Sequence, residues 1–139
     1  MSSLFVIDNS VIMTWCFQDE ADPYADAVLD KLITAKAIVP SIWPLEVVNV
    51  LLVAEHRWRL RQTDSVRFLA LLAQLPITVE HERIEKRMGE ILALGRATHL
   101  SSYDAAYLEL SMRLGLPIAT LDQKLLAAAQ QVAVPLFDI

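Results

Sequence analysis

A chain of 139 residues with one cysteine has room for a single hydrophobic core without a disulfide framework, and its three histidines, at 56, 81 and 99, lack the spacing of a zinc site. The net charge of −5 speaks against a polyanion partner, but residues 57–96 hold eight of the twelve lysines and arginines against five acids, a local excess of +3. Hydrophobic content of 55% with a mean hydropathy of +0.39 predicts apolar surface covered by a second chain, yet no uncharged apolar stretch reaches the ~20 residues that cross a bilayer. Met1-Ser2-Ser3 carries no basic side chain, so no secretory signal and no membrane role are expected. A single domain over 1–139 in a reducing, cytoplasmic setting follows.

In chain order, Leu4 to Ile7 is apolar without polar alternation, which predicts a strand buried on both faces. It delivers Asp8 to the carboxyl edge of a sheet, with Ser10 two residues on; the same letters also suit a turn and a helix cap. Val11 to Phe17 predicts a short helix in which Cys16 is a small buried hydrophobe. Asp22 and Pro23 open a helix to about Ala35, and Ala37 to Val39 is the next strand. Pro44 opens a long helix from Leu45 to about Leu60, with Glu46 in its first turn and Asn49 on the same face. That helix is apolar nearly all round, and Trp58 near its end is expected to anchor in the core or a partner interface, with base stacking as the other use. A helix from Thr63 to Leu75, a strand over Ile77 to Glu80 and a helix from Arg83 to Leu94 closed by Gly95 come next. Ser101 and Asp104 have capping-box spacing at the head of a helix that Gly115 closes. Pro117 to Leu121 predicts a buried strand, Asp122 the cap of a helix to Gln131, and Val132 to Phe137 a last strand placed at an edge by Pro135. The alternation predicts an α/β fold: an α/β/α sandwich with a mostly parallel central sheet of about five strands.

Asp8, Glu46, Asp104 and Asp122 each fall at a strand-to-helix boundary or in a helix's first turn, and in a parallel sheet such places gather at one edge. Two unit charges about 5 Å apart repel by roughly 3 kcal/mol at an effective dielectric near 20. A cation is therefore expected among them. Oxygen donors without paired Cys or His select Mg²⁺ or Mn²⁺, which activates water and clamps a phosphodiester. Other carboxylate chemistries fit less well: Ser10 stands where a haloacid-dehalogenase-type phosphatase has a second Asp, and no glycine-rich turn follows the first strand.

Phe5-Val6-Ile7-Asp8-Asn9-Ser10, Pro44-Leu45-Glu46-Val47-Val48-Asn49-Val50-Leu51, Tyr103-Asp104-Ala105-Ala106-Tyr107-Leu108-Glu109-Leu110 and Ala119-Thr120-Leu121-Asp122-Gln123-Lys124-Leu125 resemble, in order, the four acidic motifs of PIN domains. Length and layout are most similar to VapC-type toxins. The resemblance implies a metal-dependent endoribonuclease, usually a homodimer, that is inhibited by a cognate antitoxin. It carries Asp8, Glu46 and Asp104 over as principal metal-site acids and Asp122 as the fourth, with Ser10, Asn49 and Thr120 at supporting polar positions. Arg57, Arg59, Arg61, Arg83, Lys86 and Arg87 are the candidates for RNA phosphate contact. The alternative from another class is a non-catalytic α/β interaction module in which the acids serve only as helix caps.

Overall fold

The computed structural model describes residues 3–139; Met1 and Ser2, which enter the expectation about a leader, lie outside the described residues. Four strands, β1 (Leu4–Ile7), β2 (Lys36–Val39), β3 (Ile77–Val79) and β4 (Ile118–Ala119), form one sheet in the order β3-β2-β1-β4. All pairings are parallel, with Phe5 opposite Ala37, Ile38 opposite Thr78 and Ile7 opposite Ala119. Seven α-helices connect or follow them: α1 (Asn9–Thr14), α2 (Pro23–Lys31), α3 (Trp43–His56), α4 (Gln62–Gln74), α5 (Met88–Thr98), α6 (Ser102–Leu114) and α7 (Gln123–Gln131). Short 3₁₀ turns lie at Gln18–Glu20 and Ile84–Arg87.

The chain steps from β1 to β2 to β3 in one direction and then crosses back to lay β4 on the other side of β1. Right-handed crossovers put α1 to α4 on one face of the sheet and α5 and α6 on the other. Phe5, Val6 and Ile7 accordingly have no solvent exposure on either face. The reversal falls between β1 and β4, and the crevice beyond their carboxyl ends is where an open parallel sheet holds a ligand.

The sheet has four strands rather than about five, because the segment expected as the last strand makes only one parallel bridge, Leu136 to Ile118. Ala133 turns the chain with φ 60°, and Pro135 has no N–H to give a ladder. What remains is an edge clip: Ile118 N–H donates to Pro135 O at 3.0 Å, and Phe137 N–H to Ile118 O at 2.8 Å. The Phe137 ring stacks on Phe5 with centroids 3.8 Å apart.

Two helix ends also differ from expectation. Helix α3 stops at His56 because Trp58 takes φ 60°, which reverses the chain into α4. Trp58 is 93% exposed, so it anchors nothing in the core. Gly95 lies inside α5 rather than after it: a Cβ there would meet Leu100 O at 3.3 Å, so the glycine lets the start of α6 approach. The helix ends at His99, in the left-handed region at φ 59°. Gly115 does close α6, at φ +67°.

Candidate active site

Asp8 leaves the end of β1 at 5% exposure, and as the residue before α1 it makes no side-chain cap. Its Oδ2 instead accepts from Ser10 Oγ at 2.6 Å and from Thr120 Oγ1 at 2.9 Å. Ser10 Oγ also accepts from Leu121 N–H at 3.0 Å, and Thr120 Oγ1 from Asp122 N–H at 3.0 Å. The two hydroxyls thereby lock the end of β1 to the turn after β4. Burial pushes the Asp8 carboxyl up, these hydrogen bonds pull against it, and the Asp122 charge adds to the rise.

Glu46 is brought in by the first turn of α3. Its Oε1 accepts from Tyr107 Oη at 2.6 Å, a tyrosine of α6 with no solvent exposure. The pairing recovers part of the cost of burying Glu46, whose carboxyl is raised by burial and then by the charges of Asp8 and Asp104. The Tyr107 phenol is held above its usual range, first by burial and then by its bond to Glu46. Tyr107 stands in the quoted motif three residues after Asp104, on the same helical face, and that spacing was the signal for a role the sequence reading did not assign.

Asp104 lies in the first turn of α6, where its own N–H donates to Ser101 Oγ at 3.2 Å, the forward half of the expected capping box. Its carboxyl is raised by burial, then by Asp8 and Asp122. Asp122 caps α7, its Oδ1 accepting from Lys124 N–H at 2.9 Å and Leu125 N–H at 3.1 Å. Of the four acids only Asp122 caps a helix through its side chain. Asp8, Glu46 and Asp122 each have one carboxylate oxygen tied by the protein and no hydrogen bond on the other among the described residues.

The four therefore share one field at the carboxyl edge, although among the described residues no three Asp, Glu, His or Cys side chains stand close enough to hold a metal ion as they are posed. Their donor chemistry fits a hard divalent ion.

Asn9 accepts from Trp43 Nε1 at 3.1 Å and so joins the heads of α1 and α3, which fixes Glu46 relative to Asp8. Asn49 is exposed and makes no side-chain hydrogen bond among the described residues. The basic candidates are dispersed. Arg59 pairs with Asp19 and Glu20 and lies 4.2 Å over the Phe17 ring. Arg61 pairs with Asp64, Arg83 with Glu85 and Arg87 with Glu82, whereas Arg57 and Lys86 have no ion pair among the described residues. Cys16 is half-buried, and burial pushes its thiol up to about 11, where it is inert. Among the described residues no helix is long and apolar enough to cross a membrane.

A family model described as PIN domain matches residues 5–131 of the chain. Among solved structures, the crystal structure of PAE2754 from Pyrobaculum aerophilum is similar with a TM-score of 0.66 at 22% identity, covering 92% of this chain and 86% of that one. At that identity the likeness is one of fold. Comparison with curated proteins gives no match.

Proposed function

This chain belongs to the PIN domain family, whose members are generally nucleases, and from that premise we propose that it is a Mg²⁺- or Mn²⁺-dependent endoribonuclease and the toxin of a toxin–antitoxin pair. The observation that carries the reading is geometric: Asp8 at the end of β1, Glu46 and Asp104 in the first turns of α3 and α6 and Asp122 at the head of α7, with hydroxyl and backbone hydrogen bonds fixing Asp8, Glu46 and Asp122 and no ion pair to any of the four among the described residues. Hydroxyl and backbone hydrogen bonds offset part of the cost of burying these acids without neutralising the charge, and a bound cation would offset the rest. Asp8, Glu46 and Asp104 would hold it, with Asp122 as the fourth acid. When bound, the ion supplies charge neutralisation and a water of lowered pKa.

The chain's own groups orient these donors. Ser10 and Thr120 fix one oxygen of Asp8 and Tyr107 fixes one oxygen of Glu46, which leaves the other oxygen of each without a hydrogen bond among the described residues. Burial of Asp8 keeps bulk water from screening the field at the reacting phosphate. Partner chains are supported by an uncovered apolar face on α3 and α4, where Leu45 is 75%, Leu52 60% and Val66 67% exposed. On this reading the protein is a homodimer that its antitoxin inhibits.

Purified wild type, Asp8→Asn and Asp104→Asn are incubated with a single-stranded RNA pool in Mn²⁺ and the new ends are sequenced. Ends made only by wild type and abolished by chelation are expected. Equal ends from all three proteins would sink the assignment. For the toxin role, induction should arrest growth, and co-expression of the adjacent gene should relieve the arrest.

A further inference from the structure

Tyr107 is the largest side chain without solvent exposure among the described residues, and it ends on a polar atom. Burying a phenol costs desolvation that a phenylalanine of the same shape avoids, unless the hydroxyl finds a partner. Here it finds one. The hydroxyl donates to Glu46 Oε1 at 2.6 Å and makes no other hydrogen bond among the described residues. Glu46, in turn, makes no hydrogen bond to the free N–H groups at the head of α3 among the described residues, so its partner is the tyrosine and not its own helix.

This one bond does two things at the site. Helices α3 and α6 lie on opposite faces of the sheet, and Tyr107 stands three residues after Asp104 on α6, so the bond ties Glu46 to the turn that carries Asp104. It also occupies Oε1, which leaves Glu46 a single oxygen without a hydrogen bond among the described residues. Asp8 and Asp122 are in the same condition: Ser10 and Thr120 hold Oδ2 of the first, and the Lys124 and Leu125 N–H groups hold Oδ1 of the second. Carboxylates that each offer one oxygen suit a small ion that takes few protein ligands and completes an octahedron with water. Calcium gathers about six to eight oxygens and takes carboxylates bidentately, so tied oxygens are ligands that it loses. We infer, resting on the nuclease reading above, that Tyr107 is a positioning residue: its hydroxyl holds Glu46 to one-oxygen ligation of the divalent ion, in a fixed relation to Asp104, and so sets the site's preference for Mg²⁺ or Mn²⁺ over Ca²⁺.

Calorimetry with Mn²⁺ alone and with Ca²⁺ alone, on the metal-free full chain, reads the two affinities without any turnover. Wild type should bind Mn²⁺ more tightly. Tyr107→Phe keeps the ring and its volume, and it should weaken Mn²⁺ about tenfold while changing Ca²⁺ by less than about twofold, so that the preference narrows at least about fivefold. Glu46→Gln removes the charged ligand but keeps an oxygen that accepts from Tyr107. It should narrow the preference as well, and adding Tyr107→Phe to it should narrow it no further, as two groups acting through one contact require. Tyr107→Phe with the wild-type ratio of affinities would overturn the role of the hydroxyl while leaving the metal site intact. So would a loss of both affinities in equal proportion, which is what a merely structural hydroxyl produces, or a wild type that does not prefer Mn²⁺. Wild type that binds neither ion would instead remove the metal-dependent nuclease reading, and the role of Tyr107 with it.

Discussion

Two carboxylate clusters in this molecule are built from the same groups and differ in one component. Around Arg113, near the end of α6, Glu80, Glu82 and Glu109 converge on a single guanidinium. Its Nη2 donates to Glu80 Oε2 at 2.9 Å and its Nε to Glu109 Oε2 at 2.8 Å, with all three side chains at 16% exposure or less. Arg87 takes the other oxygen of Glu82 at 2.8 Å. These hydrogen bonds push the Arg113 pKa up, the bond to Glu80 contributing most, and the Arg87 bond pulls the Glu82 carboxyl down. At the head of the same helix, Asp104 lies in the field of Asp8 and Asp122 with no ion pair among the described residues, and the carboxyls of Asp8, Glu46 and Asp104 are pushed up, by burial first and then by one another's charges. The Ser101 hydrogen bond and, least of all, the Lys124 charge ease Asp104. One cluster carries its cation in the chain; the acids of the other have no ion pair among the described residues.

The largest break in this contrast should come from Arg113→Ala. It strands Glu80 and Glu109 in a nearly closed setting, and a loss of about 3 kcal/mol is expected in urea unfolding; a loss under about 1 kcal/mol would mean that water already solvates the cluster. At the other cluster the sign reverses, because a cation should be gained. Mn²⁺ at about one hundred times its dissociation constant should stabilise wild type by about 2.7 kcal/mol, and Asp104→Asn should lose most of that. A wild-type melt indifferent to Mn²⁺ would refute cation binding by these acids.

Next in size, Asp8→Asn without metal should raise stability at pH 7 by about 1–2 kcal/mol, since it removes a buried and repelled charge. The pH dependence follows with its sign. Folded carboxyl values raised above the unfolded ones contribute stability that is complete below about pH 4 and is lost as pH rises through the folded values. Metal-free wild type should therefore melt higher at pH 5 than at pH 8, and Asp8→Asn should flatten that slope. Glu82, held low, acts oppositely: its contribution is present above about pH 4 and lost as pH falls further. A melt that climbs with pH between 5 and 8 would contradict the raised carboxyls of Asp8, Glu46 and Asp104. The smallest effect is expected of Trp43→Phe, which removes the 3.1 Å bond to Asn9 and should cost about 1 kcal/mol or less, while lowering cleavage by misplacing Glu46.

The elements that place the acids were legible in the letters because their signals are local. Apolar runs ending on Asp8 and Asp122, Pro23 and Pro44 at helix starts, and Gly115 at a helix end act through residues a few positions away. Local signals misled where a contact from afar decides. Gly95 reads as a stop but serves the approach to Leu100, and the apolar run from Val132 reads as a strand but reaches the sheet by one bridge.

The sequence by itself determined the alternation of strands and helices, the parallel sheet that it forces, and the kind of place each acid occupies. Tertiary structure alone decided what those acids meet: Thr120 on Asp8 across 112 residues, Tyr107 on Glu46 across 61, and Trp43 on Asn9 across 34. It also decided that Arg113 would neutralise one cluster while none of the twelve lysines and arginines would pair with the other. The physical reason is that caps and periodicity operate within a turn or a pleat. The charge balance of a site is instead set by whichever side chains the crossovers carry to the same edge.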